Sequence, residues 1–181
     1  IYRQRFSAFY DVDTFREIAN IRAVLHEEYD RISRFIELVM LSLLHGHSAG
    51  FLSVYSFPQI SLSPQEQEMI NLKRRQTPDY RAVVPRVIRK TASVLRDGCP
   101  SIVRALEKSN KTAVADARDL SYVPSGSVDL TVTAPPVPGG KGFTSELWLR
   151  HWFAQVQMTE GQAFNLSDIA TWVDFMNEVL L

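Results

Sequence analysis

Apolar residues recur at helical spacing through most of the first hundred positions. Phe15, Ile18, Ile21 and Leu25 follow Asp13 at intervals of three or four residues. Because this spacing places the apolar side chains on one face, it predicts an amphipathic helix, with Asp13 as the residue that caps its start.

A second helix is predicted to begin near Asp30 and to end before Gly46. It is apolar on more than one face, so we expect it at the centre of the core. Its apolar positions are Ile32, Phe35, Ile36, Val39, Met40, Leu43 and Leu44.

Two further helix starts contain proline. Ser63, Pro64 and Glu66 form the capping-box pattern with the favoured proline at the first helical position. Thr77-Pro78 predicts the start of another helix, which should end at Gly98 and in which Pro85 should produce a kink or mark a restart. A short helix is expected after Pro100.

The period then changes from helical to alternating. Residues 112–118 and 128–133 are predicted as strands, and helical spacing returns at 147–156 and at 169–179, the latter behind a Ser167 cap. The expected fold class is therefore α/β and rich in helix. We expect a helical region at 1–110 and an α/β region at 111–181, the first packed on a partial sheet.

Composition narrows the class of protein. The chain has 181 residues, 45% of them hydrophobic and 22% charged, which is typical of a globular domain with a core. The longest apolar run, 35–44, is too short to span a bilayer, so no membrane segment is expected. A single cysteine, Cys99, excludes internal disulfides and indicates a cytoplasmic protein. Because residue 1 is Ile, the sequence is interpreted as a fragment or a processed chain.

The net charge of zero conceals a basic middle segment. Residues 73–111 hold eleven basic and three acidic side chains, a net charge of +8, whereas the flanking regions are acidic. Such a segment is a candidate surface for a polyanion, and charge alone favours a solvated helix face about equally. The candidate DNA contacts are Lys73, Arg74, Arg75, Arg86, Arg89 and Lys90.

The most specific motif joins two predicted strands to a proline pair. The sequence reads "DARDL" from Asp116 and then "SVDLTVTAPPV", which ends at Val137. This order resembles the "D-A-R-x-L … S-V-D-L-V-V-T-S-P-P-Y" signature of the DNA methyltransferases that methylate exocyclic amines. The stretches "SLLHGHSAGFLSVYSFPQISLSPQ" and "LWLRHWF" are similar to a bacterial and phage-type group of the same family.

The resemblance implies a Rossmann-like sheet, S-adenosylmethionine as cofactor and DNA as substrate, with the methyl group going to adenine N6 or cytosine N4. A base inside a duplex must be flipped into a pocket before such chemistry. In the family the first motif residue accepts a hydrogen bond from the target amine, the prolines fix a carbonyl, and the last residue stacks on the base. Those catalytic positions correspond here to Ala134, Pro135, Pro136 and Val137.

The chain departs from that pattern at two levels. Ala134 has no acceptor and Val137 has no ring. Asp116 matches the acid that contacts the cofactor adenine, but the glycine loop D-P-F-x-G-x-G-T is absent from these residues. The isolated chain is therefore expected to be inactive and to bind the cofactor weakly. The missing loop would come from a second chain or a preceding segment, and a homo-oligomer is also possible.

Two other hypotheses are kept beside this one. The first is a non-catalytic nucleic-acid-binding or protein-interaction module derived from the same family. The second is that several notable residues have structural roles. His45 and His47 are interpreted as polar loop residues and not as metal ligands. The tryptophans of "LWLRHWF" are interpreted as helix-packing residues. The "PGGKG" loop at 138–142 lacks Walker spacing and is interpreted as a surface turn.

Overall fold

The computed structural model describes residues 1–28, 30–106, 109–135, 143–156 and 168–180. After a π-helical turn at Tyr2–Phe6, the chain forms α-helices in the order α1 (Val12–Glu27), α2 (Arg31–Leu43), α3 (Pro64–Arg74), α4 (Val83–Leu95), α5 (Ser101–Leu106), α6 (Phe143–Glu146), α7 (Trp148–Ala154) and α8 (Ile169–Leu180).

The helix caps follow the sequence signals with one shift. Asp30 caps α2 by accepting a hydrogen bond from the Ser33 backbone N–H at 2.7 Å. Ser63 and Glu66 form the predicted capping box at the start of α3. The predicted cap of α1 is wrong by two residues, because Asp11 accepts from the Asp13 backbone N–H and the helix begins at Val12.

The start of α4 differs from the prediction. The helix begins at Val83 and not at Thr77-Pro78, so Pro85 lies in its first turn. The first four backbone N–H groups of a helix have no partner within the helix, so a proline there costs little and need not produce a kink. Gly98 has φ of +67°, a left-handed conformation that glycine adopts freely, and it follows the helix as expected.

The core is aromatic and lies where α7 meets the amino-terminal part of the chain. The Phe6 ring is 4.6 Å from the Trp152 ring and 5.6 Å from the Trp148 ring, and Trp152 also stacks on Phe15. The interpretation of these tryptophans as packing residues is confirmed. Helix α2 contacts α1, α4 and α7, as its largely apolar sequence predicts.

Two side chains of α1 donate hydrogen bonds to backbone carbonyl groups at the carboxyl end of α7. The Arg22 Nε donates to the Trp152 carbonyl at 2.8 Å, and the His26 Nε2 donates to the Phe153 carbonyl at 3.0 Å. The last carbonyls of a helix lack partners within the helix, and the positive charge of Arg22 also complements the helix dipole. These contacts join residues about 130 positions apart.

The predicted α/β fold class is wrong for the residues that the structure describes. Residues 112–118 and 128–133 form no sheet, and the one bridge among the described residues joins Gly46 to Tyr55. Leu130 and Val132 are 79% and 87% exposed. A strand needs a neighbouring strand to satisfy its backbone, and no described segment supplies one, so the residues with the alternating pattern stay exposed and form no strand.

The chain divides into two compact units. The first unit comprises Ile1–Gly98 and Phe143–Thr159, and the second comprises Cys99–Gly142 and Glu160–Leu181. Helix α7 therefore belongs with the amino-terminal helices, although more than forty residues separate them in the sequence. The predicted cap Ser167 and the loop at 138–142 lie outside the described residues.

Candidate nucleic-acid interface

Residues 49–55 form a loop whose backbone carbonyl groups accept hydrogen bonds from side chains of the segment 76–86. Gln76 Nε2 donates to the Tyr55 carbonyl at 3.1 Å, and Arg81 Nη1 donates to the carbonyls of Phe51 and Ser53. Arg86 Nη2 reaches the Ala49 carbonyl at 3.4 Å. As the residue number rises from 76 to 86, that of the partner falls from 55 to 49, so the two segments run in opposite directions.

Side chains of α1 fix the segment from which these arginines project. Thr14 Oγ1 accepts from the Arg81 backbone N–H at 2.7 Å. The Glu17 carboxylate accepts from the Val83 backbone N–H at 2.8 Å and thereby caps α4 from another helix. Val87 is buried on the inner face of α4, and Arg89 and Lys90 of this helix are exposed.

The first basic cluster, Lys73 to Arg75, lies at the carboxyl end of α3. All three side chains are exposed. The Arg74 guanidinium lies 3.7 Å from the centre of the Tyr55 ring, a cation–π contact that places a charge at one end of the 49–55 loop. Arg75 ends the helix in a left-handed conformation with φ of +51°.

The second basic cluster consists of Arg86, Arg89 and Lys90 on α4. Spacings of three and four residues place these side chains on one face of the helix. Arg86 is half-buried, and burial lowers its pKa, as do the neighbouring charges of Arg81 and Arg89. Because like charges crowd here, an anion would relieve their repulsion. Arg89 and Lys90 are exposed.

The two basic clusters flank the same loop. Arg74 contacts Tyr55 at one end, Arg86 contacts Ala49 at the other, and the largely buried Arg81 holds the backbone between them. All six of the candidate DNA contacts named from sequence belong to these clusters. The structure thus brings each cluster to an end of one loop that arginine side chains fix in place.

The expected cofactor contact, Asp116, is held by a neighbour in the chain. Arg118 donates from Nε to Oδ1 at 3.0 Å and from Nη2 to Oδ2 at 2.6 Å, so both carboxylate oxygens accept hydrogen bonds. The side-chain hydrogen bond from Arg118, followed by that from its backbone, lowers the pKa of Asp116 to about 2. Arg118 also donates to Glu178 at 3.1 Å.

The described part of the proline motif is exposed. Ala134 and Pro135 lie in a segment without regular secondary structure, and both are exposed. Pro136 and Val137 lie outside the described residues. The resemblance implied a Rossmann-like sheet in the region that holds Asp116 and this motif, and the described residues form no sheet.

Two polar side chains in the interior of the first unit, those of His45 and Gln67, had no clear signal in the sequence. His45 follows α2 as expected of a loop residue, yet its side chain is 2% exposed, with Nδ1 2.7 Å from the Phe57 carbonyl and Nε2 3.3 Å from Ser61 Oγ. Burial is the main cause that lowers the pKa of His45 to about 4. Gln67 is fully buried, and its only sequence signal is its spacing of four residues from Asn71.

Arg150 of α7 binds backbone carbonyl groups of the loop between α2 and α3. It donates to the Pro58 carbonyl at 2.6 Å and to the Gln59 carbonyl at 3.2 Å.

Within the described ranges, no group of three or more His, Cys, Asp or Glu side chains could hold a metal ion. No helix in the described part of the chain has the length and apolarity to cross a membrane.

Comparison of the chain with protein-family models, with curated proteins and with solved structures finds no match. The sequence motifs and the geometry of the basic clusters are therefore the features that bear on function.

Proposed function

We propose that this chain is part of a DNA methyltransferase-like protein and that its first unit binds the DNA backbone. The protein would transfer a methyl group from S-adenosylmethionine to an exocyclic amine of adenine or cytosine. The motif order "DARDL … SVDLTVTAPPV" supports the family. The observation that carries the DNA contact is the pair of basic clusters at the two ends of the arginine-held loop 49–55, in which every side chain but the half-buried Arg86 is exposed.

The chain by itself does not complete the chemistry. Ala134 cannot accept a hydrogen bond from a target amine, and no D-P-F-x-G-x-G-T loop is present in the sequence. The carboxylate of Asp116 already accepts from Arg118 through both oxygens, so a cofactor would compete with that guanidinium. Activity would need a glycine loop from a second chain or from a preceding segment.

A second function follows from the same observations. A non-catalytic nucleic-acid-binding module would use the basic clusters and would have no need of an acceptor at Ala134 or of an aromatic side chain at Val137. The two functions share the DNA contact and differ in cofactor binding and methyl transfer, so they require separate experiments.

The DNA contact is tested by titrating a fluorescent duplex at several salt concentrations. Replacing Arg86, Arg89 and Lys90 together by glutamine should weaken binding at least ten-fold at low salt. For each phosphate that the variant no longer neutralises, the slope of log K against log salt should fall by about 0.9. The matched control replaces Arg96, Arg104 and Lys111 by glutamine, which removes equal charge from the same basic segment outside both clusters.

Equal weakening in the two triple variants would show that net charge alone acts and that the clusters are not a site. A duplex and a single strand that both fail to bind at low salt would refute the DNA contact altogether. Circular dichroism shows whether each variant is folded, so that a binding defect is not confused with unfolding.

The catalytic part is tested with the cofactor and with labelled methyl transfer. Titration of the chain with S-adenosylmethionine should give no binding at micromolar concentrations, and no label should enter DNA. Ala134→Ser with Val137→Tyr should leave both results unchanged until a polypeptide with the glycine loop is added. Micromolar binding by the unmodified chain would contradict the incomplete cofactor site. If label enters DNA after the loop is supplied, the enzyme is favoured over the binding module.

A further inference from the structure

A cavity of about 660 Å³ lies between the residues that follow the amino-terminal turn and the end of α3, within the first unit. Its volume falls within the range of roughly 300–1,000 Å³ that is typical of small-molecule sites. Its lining combines two amide side chains, Asn71 and Gln76, with two side chains of opposite charge, Glu68 and Arg75. Each of these groups limits the chemistry of a ligand.

The amides of the lining belong to a hydrogen-bonded network that fixes one wall of the cavity. Asn71 Oδ1 accepts from Gln67 Nε2 at 2.8 Å and from Gln76 Nε2 at 2.7 Å. Asn71 Nδ2 donates to the Ala8 carbonyl at 2.7 Å. Both glutamines also donate to the Tyr55 carbonyl, and Gln67 is fully buried. The wall is therefore held in place before any ligand binds.

The network leaves one donor and one acceptor side by side for a ligand. An amide nitrogen has two protons, and Asn71 Nδ2 uses one of them for the Ala8 carbonyl, so the other can be donated. Gln76 Nε2 uses both of its protons, so its side chain offers the acceptor Oε1. A peptide group also has one N–H donor and one carbonyl acceptor. The pair Asn71 and Gln76 is therefore complementary to a peptide group.

The charged side chains of the lining suit the two ends of a short peptide. The Arg75 guanidinium can donate two parallel hydrogen bonds to a carboxylate, and the Thr77 hydroxyl can donate beside it. The Glu68 carboxylate accepts from an ammonium group. Ser7 donates its hydroxyl proton to the Arg3 carbonyl at 3.0 Å, which leaves its oxygen as a further acceptor. Glu68 and Arg75 are both exposed, so a ligand can reach them from solvent.

We propose that this cavity binds a short peptide whose two termini are free. The amides of Asn71 and Gln76 bind the peptide group, Arg75 binds the carboxylate and Glu68 binds the ammonium group. Leu72 and Pro78 also line the cavity and supply apolar surface for a side chain of the peptide. The site needs neither DNA nor a methyl donor, so it is independent of the function proposed above.

The ligand side is tested by calorimetry with the folded chain and three forms of one dipeptide. Alanyl-leucine should bind at millimolar concentrations or below. The N-acetyl form lacks the ammonium group and the carboxyl-amide form lacks the carboxylate. Each should bind about ten-fold more weakly, because hydrogen bonds to charged groups are stronger than those between neutral groups. Equal affinity of the three forms, or no binding of alanyl-leucine at millimolar concentrations, would overturn the inference.

The protein side is tested with Arg75→Asn and Glu68→Gln. Arg75→Asn should weaken alanyl-leucine binding about ten-fold and leave that of the carboxyl-amide form unchanged, because this form has already lost the carboxylate. Glu68→Gln should weaken alanyl-leucine binding and leave that of the N-acetyl form unchanged. Asparagine tolerates the left-handed backbone at position 75, so the change removes the guanidinium without backbone strain. An equal loss for all three forms would contradict the assigned contacts.

The matched controls are Arg96→Asn and Glu27→Gln, which make the same changes of charge at exposed positions outside the cavity lining. They should leave peptide binding unchanged, and a loss equal to that of the cavity variants would overturn the inference in favour of net charge. These titrations contain no DNA. Peptide binding without duplex binding would support the cavity and refute only the DNA contact, whereas duplex binding without peptide binding would refute the cavity alone.

Discussion

The two units of the chain contain similar proportions of apolar residues but use them differently. Every side chain described as buried belongs to the first unit, where helices α1, α2, α4 and α7 converge on the aromatic cluster. No described residue of the second unit is buried, and Val114, Leu130 and Val132 are exposed.

The difference lies in where each element finds its hydrogen bonds. A helix satisfies its backbone within about four residues, so each helix of the first unit can form locally and then pack its apolar stripe. An extended segment must find a second strand, which is a long-range contact with a larger cost in chain entropy. Residues 128–133 of the second unit have an alternating pattern but no described strand beside them.

The largest expected contrast is in side-chain truncation. Phe153→Ala removes a fully buried ring from the first unit and should lower the free energy of unfolding by about 3–5 kcal/mol. Leu130→Ala, at a position 79% exposed in the second unit, should change it by less than about 0.5 kcal/mol. Urea unfolding followed by circular dichroism measures both. Equal losses of stability would mean that the second unit buries Leu130 in solution.

The next contrast is in pH dependence, and it concerns His45. Its pKa is about 4 in the folded chain against an ordinary value of 6.5, because the buried ring is held neutral. The unfolded state therefore binds a proton first as pH falls. The free energy of unfolding is therefore undiminished by His45 above pH 6.5. As the pH falls from 6.5 through about 4, up to about 3 kcal/mol of this free energy is lost.

Thermal unfolding between pH 7 and pH 4 tests this assignment. The variant His45→Gln should flatten the pH dependence, whereas His47→Gln, which alters an exposed ring, should leave the slope as it is. An unchanged slope in His45→Gln would show that other groups cause the acid sensitivity of the first unit.

A smaller effect is expected at the cap that joins α1 to α4. Glu17→Ala removes the acceptor of the Val83 backbone N–H and should cost about 1 kcal/mol of unfolding free energy. Glu17→Gln should cost less, because an amide oxygen still accepts. Glu27→Ala, at an exposed position of the same helix, serves as the control and should be neutral. A neutral Glu17→Ala would indicate that packing and the Thr14 hydrogen bond position α4 without this cap.

The smallest effect is expected in the second unit, at Asp116. Both Asp116 and Arg118 are exposed, and surface ion pairs contribute little to stability because water screens them. Asp116→Asn should therefore leave the urea midpoint unchanged within error at pH 7. A shift as large as that of Glu17→Ala would show that this pair stabilises the second unit and would weaken the contrast between the units.

The helices were largely predictable, and the reasons are local. Ser63, Pro64 and Glu66 specify a capping box through contacts within one turn, and Asp30 caps α2 in the same way. The start of α4 was not predictable, because its cap is supplied by Glu17 from a helix more than sixty residues earlier. The fold class failed because an alternating pattern records which residues suit a strand and contains no information on whether a partner strand is near.

The candidate site likewise has a part that local sequence signals predict and a part that depends on long-range contacts. The basic clusters at Lys73–Arg75 and Arg86–Lys90 could be found from the amino acids alone, since charge and spacing on a helix are local properties. Tertiary folding was needed to bring both clusters to one loop, to bury His45 and Gln67, and to bring the Asn71 amide to the Ala8 carbonyl. Those features depend on carbonyl groups and side chains that meet across long sequence separations, where no residue pattern specifies the partner.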